Sequence, residues 1–211
     1  MKKTLFLLVF LGAIITSYSQ SSKLFFLKAG INSNTIKDNN LEESTISPYI
    51  GVGLDFGDKF SFQPELQFNI YKLNISNSGS DGLLNEDYAY DGNVMKISLP
   101  LLIKQEIIEN FSIYTGITPS LILVDKDKSE INSSIRGTAQ PKRKFDNNSS
   151  FNGAFTFGAE YTIKTNFFIE ARYSFSPSFL NDTDDTVILS TSEFSLHEKS
   201  SIQFGMGYKL F

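Results

Sequence analysis

The sequence has no cysteine and no tryptophan, and His197 is its single histidine. The absence of cysteine excludes a disulfide framework, a thiolate metal site and the lipidated cysteine of a bacterial lipoprotein. Beyond residue 20 the chain has no continuous apolar run long enough for a membrane-spanning helix. The formal net charge of −4 argues against a nucleic-acid partner. These absences leave the alternation of apolar and polar residues as the main source of information.

The N-terminus has the features of a secretory signal peptide. A basic start is followed by an apolar core over Leu5–Ile15 and by the small-x-small triplet Ser17–Ser19. The apolar core falls short of the ~18–20 residues of a spanning helix, so a membrane anchor fits less well. We therefore expect residues 1–19 to be the signal peptide and residues 20–211 to form one domain.

Residues 60–73, FSFQPELQFNIYKL, alternate between apolar and polar side chains. One phase carries phenylalanine, leucine and isoleucine, whereas the other carries Glu65 with serine, glutamine and asparagine. This alternation is typical of a strand with one apolar face. Several such segments are longer than the ~5–6 residues of a usual soluble strand. The pattern predicts strands over Leu24–Asn32, Ile46–Phe56, Phe60–Leu73, Val94–Ile108, Phe111–Val124, Phe151–Ile163, Phe167–Ser178 and Ser200–Phe211.

The connections between these eight segments alternate in length. Tight turns are expected at Gly57–Lys59, Glu109–Asn110 and Lys164–Asn166. Long polar loops are expected at Ser33–Thr45, Asn74–Asn93, Asp125–Ser150 and Phe179–Lys199. This layout predicts an all-β fold, an eight-stranded antiparallel up-and-down transmembrane β-barrel with short periplasmic turns and long extracellular loops. A soluble lipocalin-like barrel remains an alternative, because alternation does not show which phase faces inward.

The phase of Glu65, carried through the other predicted strands, contains ten charged residues. A charge on the lipid face near the bilayer midplane costs about 2–4 kcal/mol for a basic residue and less for an acidic one, so in a membrane barrel this phase faces the lumen. Acids and bases are equal in number there, and pairing makes buried charge tolerable. We expect a structural charge network lining the lumen, made of Lys28, Asp55, Glu65, Lys96, Lys104, Glu106, Glu160, Glu170, Arg172 and Lys209.

Aromatic residues and one proline lead to two further expectations. An aromatic girdle is expected near the tight turns, formed by Phe56, Phe60, Phe111, Tyr161, Phe167 and Tyr208. Pro64 stands in the middle of a predicted strand and donates no ladder hydrogen bond. We therefore expect a β-bulge at Pro64.

Five stretches carry a resemblance to a known family: KAGIN (28–32), FQPELQF (62–68), ISLPLLIK (97–104), FIEARYSFS (168–176) and FGMGYKLF (204–211). With these stretches the chain resembles the small outer-membrane β-barrel proteins of Bacteroidetes, often described as porin family or PorT-like. The resemblance implies an eight-stranded barrel in the outer membrane. Phe211 departs from the usual pattern, because it is out of phase with the outward apolar positions. PorT-like members are linked to protein secretion and surface export, so the resemblance allows a secretion role.

Three motifs suggest chemistry, and each has a simpler explanation. His197 with a neighbouring serine and glutamate suggests a hydrolase, but triads are assembled in space rather than along one loop. The acidic segment 181–185 suggests calcium binding, but it lacks the glycine and the distal glutamate of an EF-hand loop. A solvated acidic loop is the simpler explanation. The basic cluster Lys142, Arg143 and Lys144 suits contact with lipopolysaccharide phosphates or a solvated loop, and both remain open. We expect no catalytic, metal-binding or cofactor-binding residues.

The sequence therefore predicts a non-enzymatic integral protein of the cell outer membrane. We expect a plugged polar lumen and long surface loops that are used for binding or surface assembly. The expected partners are outer-membrane lipid, lipopolysaccharide and an extracellular or secretion-system protein. The alternatives are a small pore or transporter, an accessory component of protein secretion and, least favoured, a lipid-modifying barrel enzyme.

Overall fold

The computed structural model describes residues 23–38, 41–80, 84–124, 129–135, 138–139, 149–164, 166–177 and 197–210. Within these residues it contains strands β1 Lys23–Asp38, β2 Leu41–Gly57, β3 Phe60–Ser80, β4 Leu84–Ser98, β5 Leu101–Ile108, β6 Phe111–Val124, β7 Ser129–Ile135, β8 Thr138–Ala139, β9 Ser149–Lys164, β10 Phe167–Phe175 and β11 His197–Lys209.

Eight strand positions close into a ring. β1 pairs with both β2 and β11, so the first and last strands complete the wall. β4 and β5 share one wall position, because both lie between β3 and β6 and only Leu99 and Pro100 separate them. The described pairings are antiparallel, and the ring order is β1, β2, β3, β4/β5, β6, β9, β10 and β11. The predicted all-β, eight-stranded antiparallel barrel is confirmed.

Pro64 interrupts a ladder without adding a residue. Gly53 of β2 faces Glu65, and Phe56 faces Phe62, with two residues between these pairs on both strands. The β-bulge expected at Pro64 is therefore wrong. Proline removes an N–H group but its φ angle still fits an extended strand, so rungs are lost while the register is kept.

The wall strands continue beyond the predicted segments at the end where the long connections lie, which we call the loop end. β1 and β2 pair as far as Asp38 opposite Leu41, and β3 and β4 pair as far as Ser80 opposite Asn85. The long loops expected between these strands are therefore largely strand, and β7 extends this sheet by pairing with β4. Polar residues on both faces remove the alternation signal, yet a ladder satisfies backbone groups whatever the side chains are.

The last two wall strands differ from prediction at their ends. β10 ends at Phe175 instead of Ser178, and Pro177 follows, where the missing N–H cannot continue a ladder. β11 runs over His197–Lys209 instead of Ser200–Phe211. Phe211 and its departure from the outer-membrane pattern lie outside the described residues.

Side chains alternate between the interior and the outer surface of the ring. Along β10, Phe168, Glu170 and Arg172 are buried, whereas Ile169 and Tyr173 are 43% and 46% exposed. The exposed outer positions are mainly leucine, isoleucine, phenylalanine and tyrosine, while the interior is rich in charged and amide side chains. In the described part of the chain, no helix is long and apolar enough to cross a membrane.

Aromatic side chains surround the end with the tight turns, which we call the turn end. Phe60, Tyr161 and Tyr208 are about half exposed or more on the outer surface. Tyr161 faces Phe111 across β9 and β6, and Tyr208 faces Phe167 across β11 and β10. These cross-strand pairs place aromatic rings side by side around one rim of the ring.

Candidate functional site

Four charged side chains meet inside the ring. Lys28 on β1, Glu65 on β3, and Glu170 and Arg172 on β10 supply two charges of each sign, and each side chain is at most 2% exposed. We call these four residues the central charge cluster. Each lies on the inward phase of its strand, and the spacing of two gives Glu170 and Arg172 the same face.

Arg172 is bonded to both carboxylates of the cluster. Its Nη1 and Nη2 donate to the two oxygens of Glu65 at 2.7 and 2.6 Å. Its Nη2 and Nε donate to Oε2 of Glu170 at 2.6 and 3.1 Å, and Nε also donates to the Tyr114 hydroxyl at 2.8 Å. The Tyr49 hydroxyl donates to Oε1 of Glu170 at 2.9 Å. The planar guanidinium matches a carboxylate edge, which makes the contact with Glu65 strong and directional.

Lys28 and two glutamines complete the surroundings of the carboxylates. Lys28 Nζ lies 2.6 Å from Oε2 of Glu65 and 2.9 Å from Oε1 of Glu170. The side-chain amides of Gln63 and Gln67 donate to Glu65 at 2.6 and 2.8 Å. The cluster is neutral and densely hydrogen-bonded, which is the condition under which buried charge is tolerated.

A second group of ion pairs lies nearer the turn end. Lys104 donates a hydrogen bond to Asp55, and its Nζ lies 3.5 Å from Oε1 of Glu160. Lys209 Nζ lies 2.9 Å from the same oxygen of Glu160 and donates to Oγ1 of Thr162 at 3.3 Å. Two lysines and two acids again give a neutral group.

A third pair, at the loop end, joins Lys96 to a residue that the sequence prediction missed. Lys96 Nζ lies 2.5 Å from Oε2 of Glu198, and both side chains are buried. Glu198 belongs to the opposite phase from Ser201 and Gln203, which are also buried. Its inward position follows from the register shift where Thr35 faces Ser200 but Ile36 faces Glu198. A bulge changes the phase of a strand, so strict alternation assigns Glu198 to the wrong face.

The remaining predicted site residues lie at the edges of the barrel or outside the described part. Glu106 is half-buried near the turn end, where its carboxylate accepts a hydrogen bond from the Asn110 amide at 3.3 Å. The basic cluster Lys142, Arg143 and Lys144 lies outside the described residues, as do the acidic segment 181–185 and the His197 side chain.

A small polar cavity lies between the central charge cluster and the Lys96–Glu198 pair. Its volume is about 20 Å³, and Arg172, Asn69 and Ser98 are among its lining residues. That volume holds about one water molecule. In the described residues, no group of three histidine, cysteine, aspartate or glutamate side chains is placed to hold a metal ion.

A family comparison identifies the barrel. The family model for the outer membrane protein beta-barrel domain matches residues 8–184, which is more than half of the chain. The chain belongs to this family. The predicted location of this protein in the outer membrane is thereby confirmed. Its exposed outer positions, such as Ile169 and Phe204, therefore contact lipid.

Two solved structures are similar to this chain over most of its length. Ail, the attachment invasion locus protein of Yersinia pestis, is 14% identical and has a TM-score of 0.49, with 90% of this chain and 99% of that chain covered. Neisserial surface protein A is 14% identical and has a TM-score of 0.48, with 88% of this chain and 96% of that chain covered. A search of curated proteins found no match.

Proposed function

We propose that this outer-membrane barrel neither conducts ions nor catalyses a reaction. In this proposal the central charge cluster closes the lumen as a structural plug, and the hairpins at the loop end carry a binding or surface-assembly function. The observation that carries the proposal is the pairing of Glu65 with Arg172 across the interior.

The positions of Glu65 and Arg172 in the ring support the proposed plug. Glu65 is on β3 and Arg172 is on β10, and three strand positions separate β3 from β10 in either direction around the ring. The two side chains therefore reach each other from opposite walls. An eight-stranded barrel has an interior just wide enough for side chains to fill. A bidentate contact across that width leaves no straight path for a hydrated ion.

The buried carboxylates also support a non-enzymatic barrel. Glu65, Glu170 and Glu160 are each bound to a lysine or arginine, and their side chains are at most 3% exposed. A general acid or base has to come within hydrogen-bonding reach of its substrate. Carboxylates held in buried pairs have a structural role instead.

The loop end supports the binding function. In outer-membrane barrels the short turns are periplasmic and the longer connections are extracellular. With this orientation the hairpin of β1 and β2 and the sheet of β3, β4 and β7 extend from the cell surface. The resemblance to PorT-like barrels supports a surface-assembly or secretion role for the same hairpins. The sequence adds a contact of Lys142, Arg143 and Lys144 with lipopolysaccharide phosphates to this proposal.

The decisive experiment is conductance of the purified, folded protein in a planar lipid bilayer. We expect no channel steps, while a porin of known conductance, inserted by the same protocol, gives regular steps. Reproducible single-channel steps from the folded monomer would replace the plugged barrel with the pore alternative.

A separate measurement tests the enzyme alternative. Lipid A from cells that produce the wild type, the His197→Ala variant or no protein is compared by mass spectrometry. We expect the three spectra to be the same, and a mass change that requires His197 would establish a lipid-modifying enzyme.

A further inference from the structure

The ladder between β2 and β3 stops well before either strand ends. It runs as far as Tyr49 opposite Asn69, although β2 begins at Leu41 and β3 continues to Ser80. The next position on β2 is Pro48, which has no N–H to donate to β3. Beyond it the Thr45 hydroxyl, and not a backbone amide, donates to the Lys72 carbonyl at 3.3 Å. The two strands therefore separate at the loop end of the barrel.

This separation leaves one edge of β3 without a described partner. The Lys72 carbonyl points toward β2, whereas the Glu65 amide points toward β5, where it donates to the Pro100 carbonyl at 2.9 Å. Backbone groups alternate in direction along a strand. The β3–β4 register is unbroken from Gln67 to Ser80. The N–H and C=O groups of the even-numbered residues from Asn74 to Ser80 therefore point away from β4, over about 20 Å.

The exposed edge lies beyond the lipid-facing band. Leu66 and Ile70 are exposed apolar residues on the outer face of β3, but the next outward residues are Lys72 and Asn74. Lys72 forms an exposed ion pair with Asp91 of β4 at 3.0 Å. An open strand edge is excluded from the hydrocarbon region but is tolerated in water. The edge from Asn74 to Ser80 is thus placed on the aqueous side of the membrane boundary.

In the part of the chain that the structure describes, this edge also lacks the devices that protect free strands. Natural edges are protected by proline, charged residues, bulges or a covering segment. Residues 73–80, LNISNSGS, contain no proline and no charge, and their ladder with β4 has no bulge. The facing edge of β2, in contrast, carries Pro48, Glu42 and Glu43, and β7 carries Glu130 and pairs with β8 at Ser134 and Ile135. Among these three edges, that of β3 therefore has the longest stretch without proline or charge, and it is the one best suited to accept another strand.

We propose that the β3 edge from Asn74 to Ser80 binds an extended segment of another protein by strand addition. The partner supplies backbone N–H and C=O groups that complete the ladder, as in other cases of β-augmentation. This inference rests on the proposed binding function of the loop-end hairpins and names the partner's chemistry. A second copy in the same membrane would present its β3 edge in the same direction, so it would have to pair in the less stable parallel arrangement.

Amide hydrogen exchange in lipid nanodiscs tests whether the edge is open, and it needs no partner. We expect fast exchange at Ser76 and Ser78, whose amides point outward, and slow exchange at Ile75 and Asn77, whose amides face β4. Slow exchange at all four positions in the purified protein would show that this chain covers its own edge and would overturn the proposal.

Cross-linking on intact cells of the native host tests whether another polypeptide binds to the β3 edge. Because the chain has no cysteine, a single Ser76→Cys variant can carry a photoactivatable maleimide probe. We expect a covalent adduct with another polypeptide, to be identified by mass spectrometry. Adding Ser78→Pro removes one outward N–H and leaves the β3–β4 ladder intact, so the adduct should be lost. The matched variant Ser78→Ala keeps the N–H and should keep the adduct.

The outcomes separate this inference from the proposed function. Equal adducts with Ser78→Pro and Ser78→Ala would show contact without strand pairing and would overturn the inference. No adduct, or an adduct with only a second copy of this chain, would do the same. In each of these cases, the absence of channel steps in planar bilayers would still support the plugged lumen. Channel steps would instead contradict the proposed function itself.

Discussion

Arg172 donates two parallel hydrogen bonds, of 2.6 and 2.7 Å, to the two carboxylate oxygens of Glu65 on the opposite wall of the barrel. The contact joins opposite walls of the barrel, and both side chains are almost fully buried. Lys28 and Glu170 then balance the charge on each side of it. Disturbing this cluster should be costly, because each buried charge depends on the others for compensation.

Loss of Arg172 should be the most damaging change in the cluster. Arg172→Ala leaves Glu65 and Glu170 sharing Lys28 alone, so the lumen gains an uncompensated negative charge. Removing one partner of a buried pair costs about 3–5 kcal/mol in the free energy of unfolding. Urea unfolding in lipid vesicles measures this loss. Because the chain has no tryptophan, unfolding is monitored by circular dichroism and by electrophoretic mobility.

The control for this change removes both charges together. Arg172→Met combined with Glu65→Gln keeps the cluster neutral, with Lys28 still paired to Glu170. We expect this double variant to be clearly more stable than Arg172→Ala, because no charge is left without a partner. Equal losses in the two variants would mean that packing, and not charge balance, sets the stability of the lumen.

The lipid-facing phase can be tested on one strand with two arginine substitutions. Ile169 is 43% exposed on the outer surface of β10, whereas Ser174 is half-buried on the inward phase and bonded to Thr156. Ile169→Arg should reduce the free energy of unfolding by about 2–4 kcal/mol or block insertion, because it places a cation in lipid. Ser174→Arg should do less harm. Similar folding yields into lipid vesicles for both variants would contradict the assigned faces.

The direction of the barrel in the membrane gives a prediction for intact cells. The segment Asp125–Ser150 carries Lys142, Arg143 and Lys144 and follows β6 at the loop end. With the loop end outside the cell, trypsin added to whole cells should cut this segment. Replacing the three basic residues by glutamine should remove the corresponding fragments. Cleavage only after lysis, in cells stripped of surface glycans, would show the reversed orientation.

The alternation of apolar and polar residues along the strands predicts much of this fold, because the lipid-facing side of each strand has to be apolar. The same rule places Glu65 and Arg172 on the inward face from their positions in the alternation alone. It does not predict that they pair, since pairing depends on the order and closure of the ring. It misses Glu198, because one bulge beside Thr35 reverses the phase of β11. It also misses the outer parts of β3 and β4, where no lipid selects the side chains and backbone pairing alone forms the strand.

Sequence patterns also do not show how side chains pack against the inward-facing glycines. A Cβ atom added to Gly53 would overlap the ring of Phe26, lying 2.8 Å from its Cε1. That ring meets the ring of Phe168 edge-on, with 5.6 Å between centroids. Because the Phe168 ring restricts movement of the Phe26 ring, Gly53→Ala should lower the free energy of unfolding by about 1–3 kcal/mol through overpacking.

Gly51 provides the matched control, because it is two residues away on the same face of β2. Its added Cβ would lie 3.2 Å from the Cγ of Gln67 and the Cε of Lys28, and 3.3 Å from the Leu66 carbonyl oxygen. These contacts are longer than those at Gly53 and require shifts of only a few tenths of an ångström, so Gly51→Ala should cost less than Gly53→Ala in the same urea titration. Combining Gly53→Ala with Phe26→Leu should recover part of the loss, since the smaller side chain vacates the space that the new methyl group needs. If the double variant is less stable than Gly53→Ala by the full cost of Phe26→Leu alone, the two residues are independent and the contact does not limit the packing of the lumen.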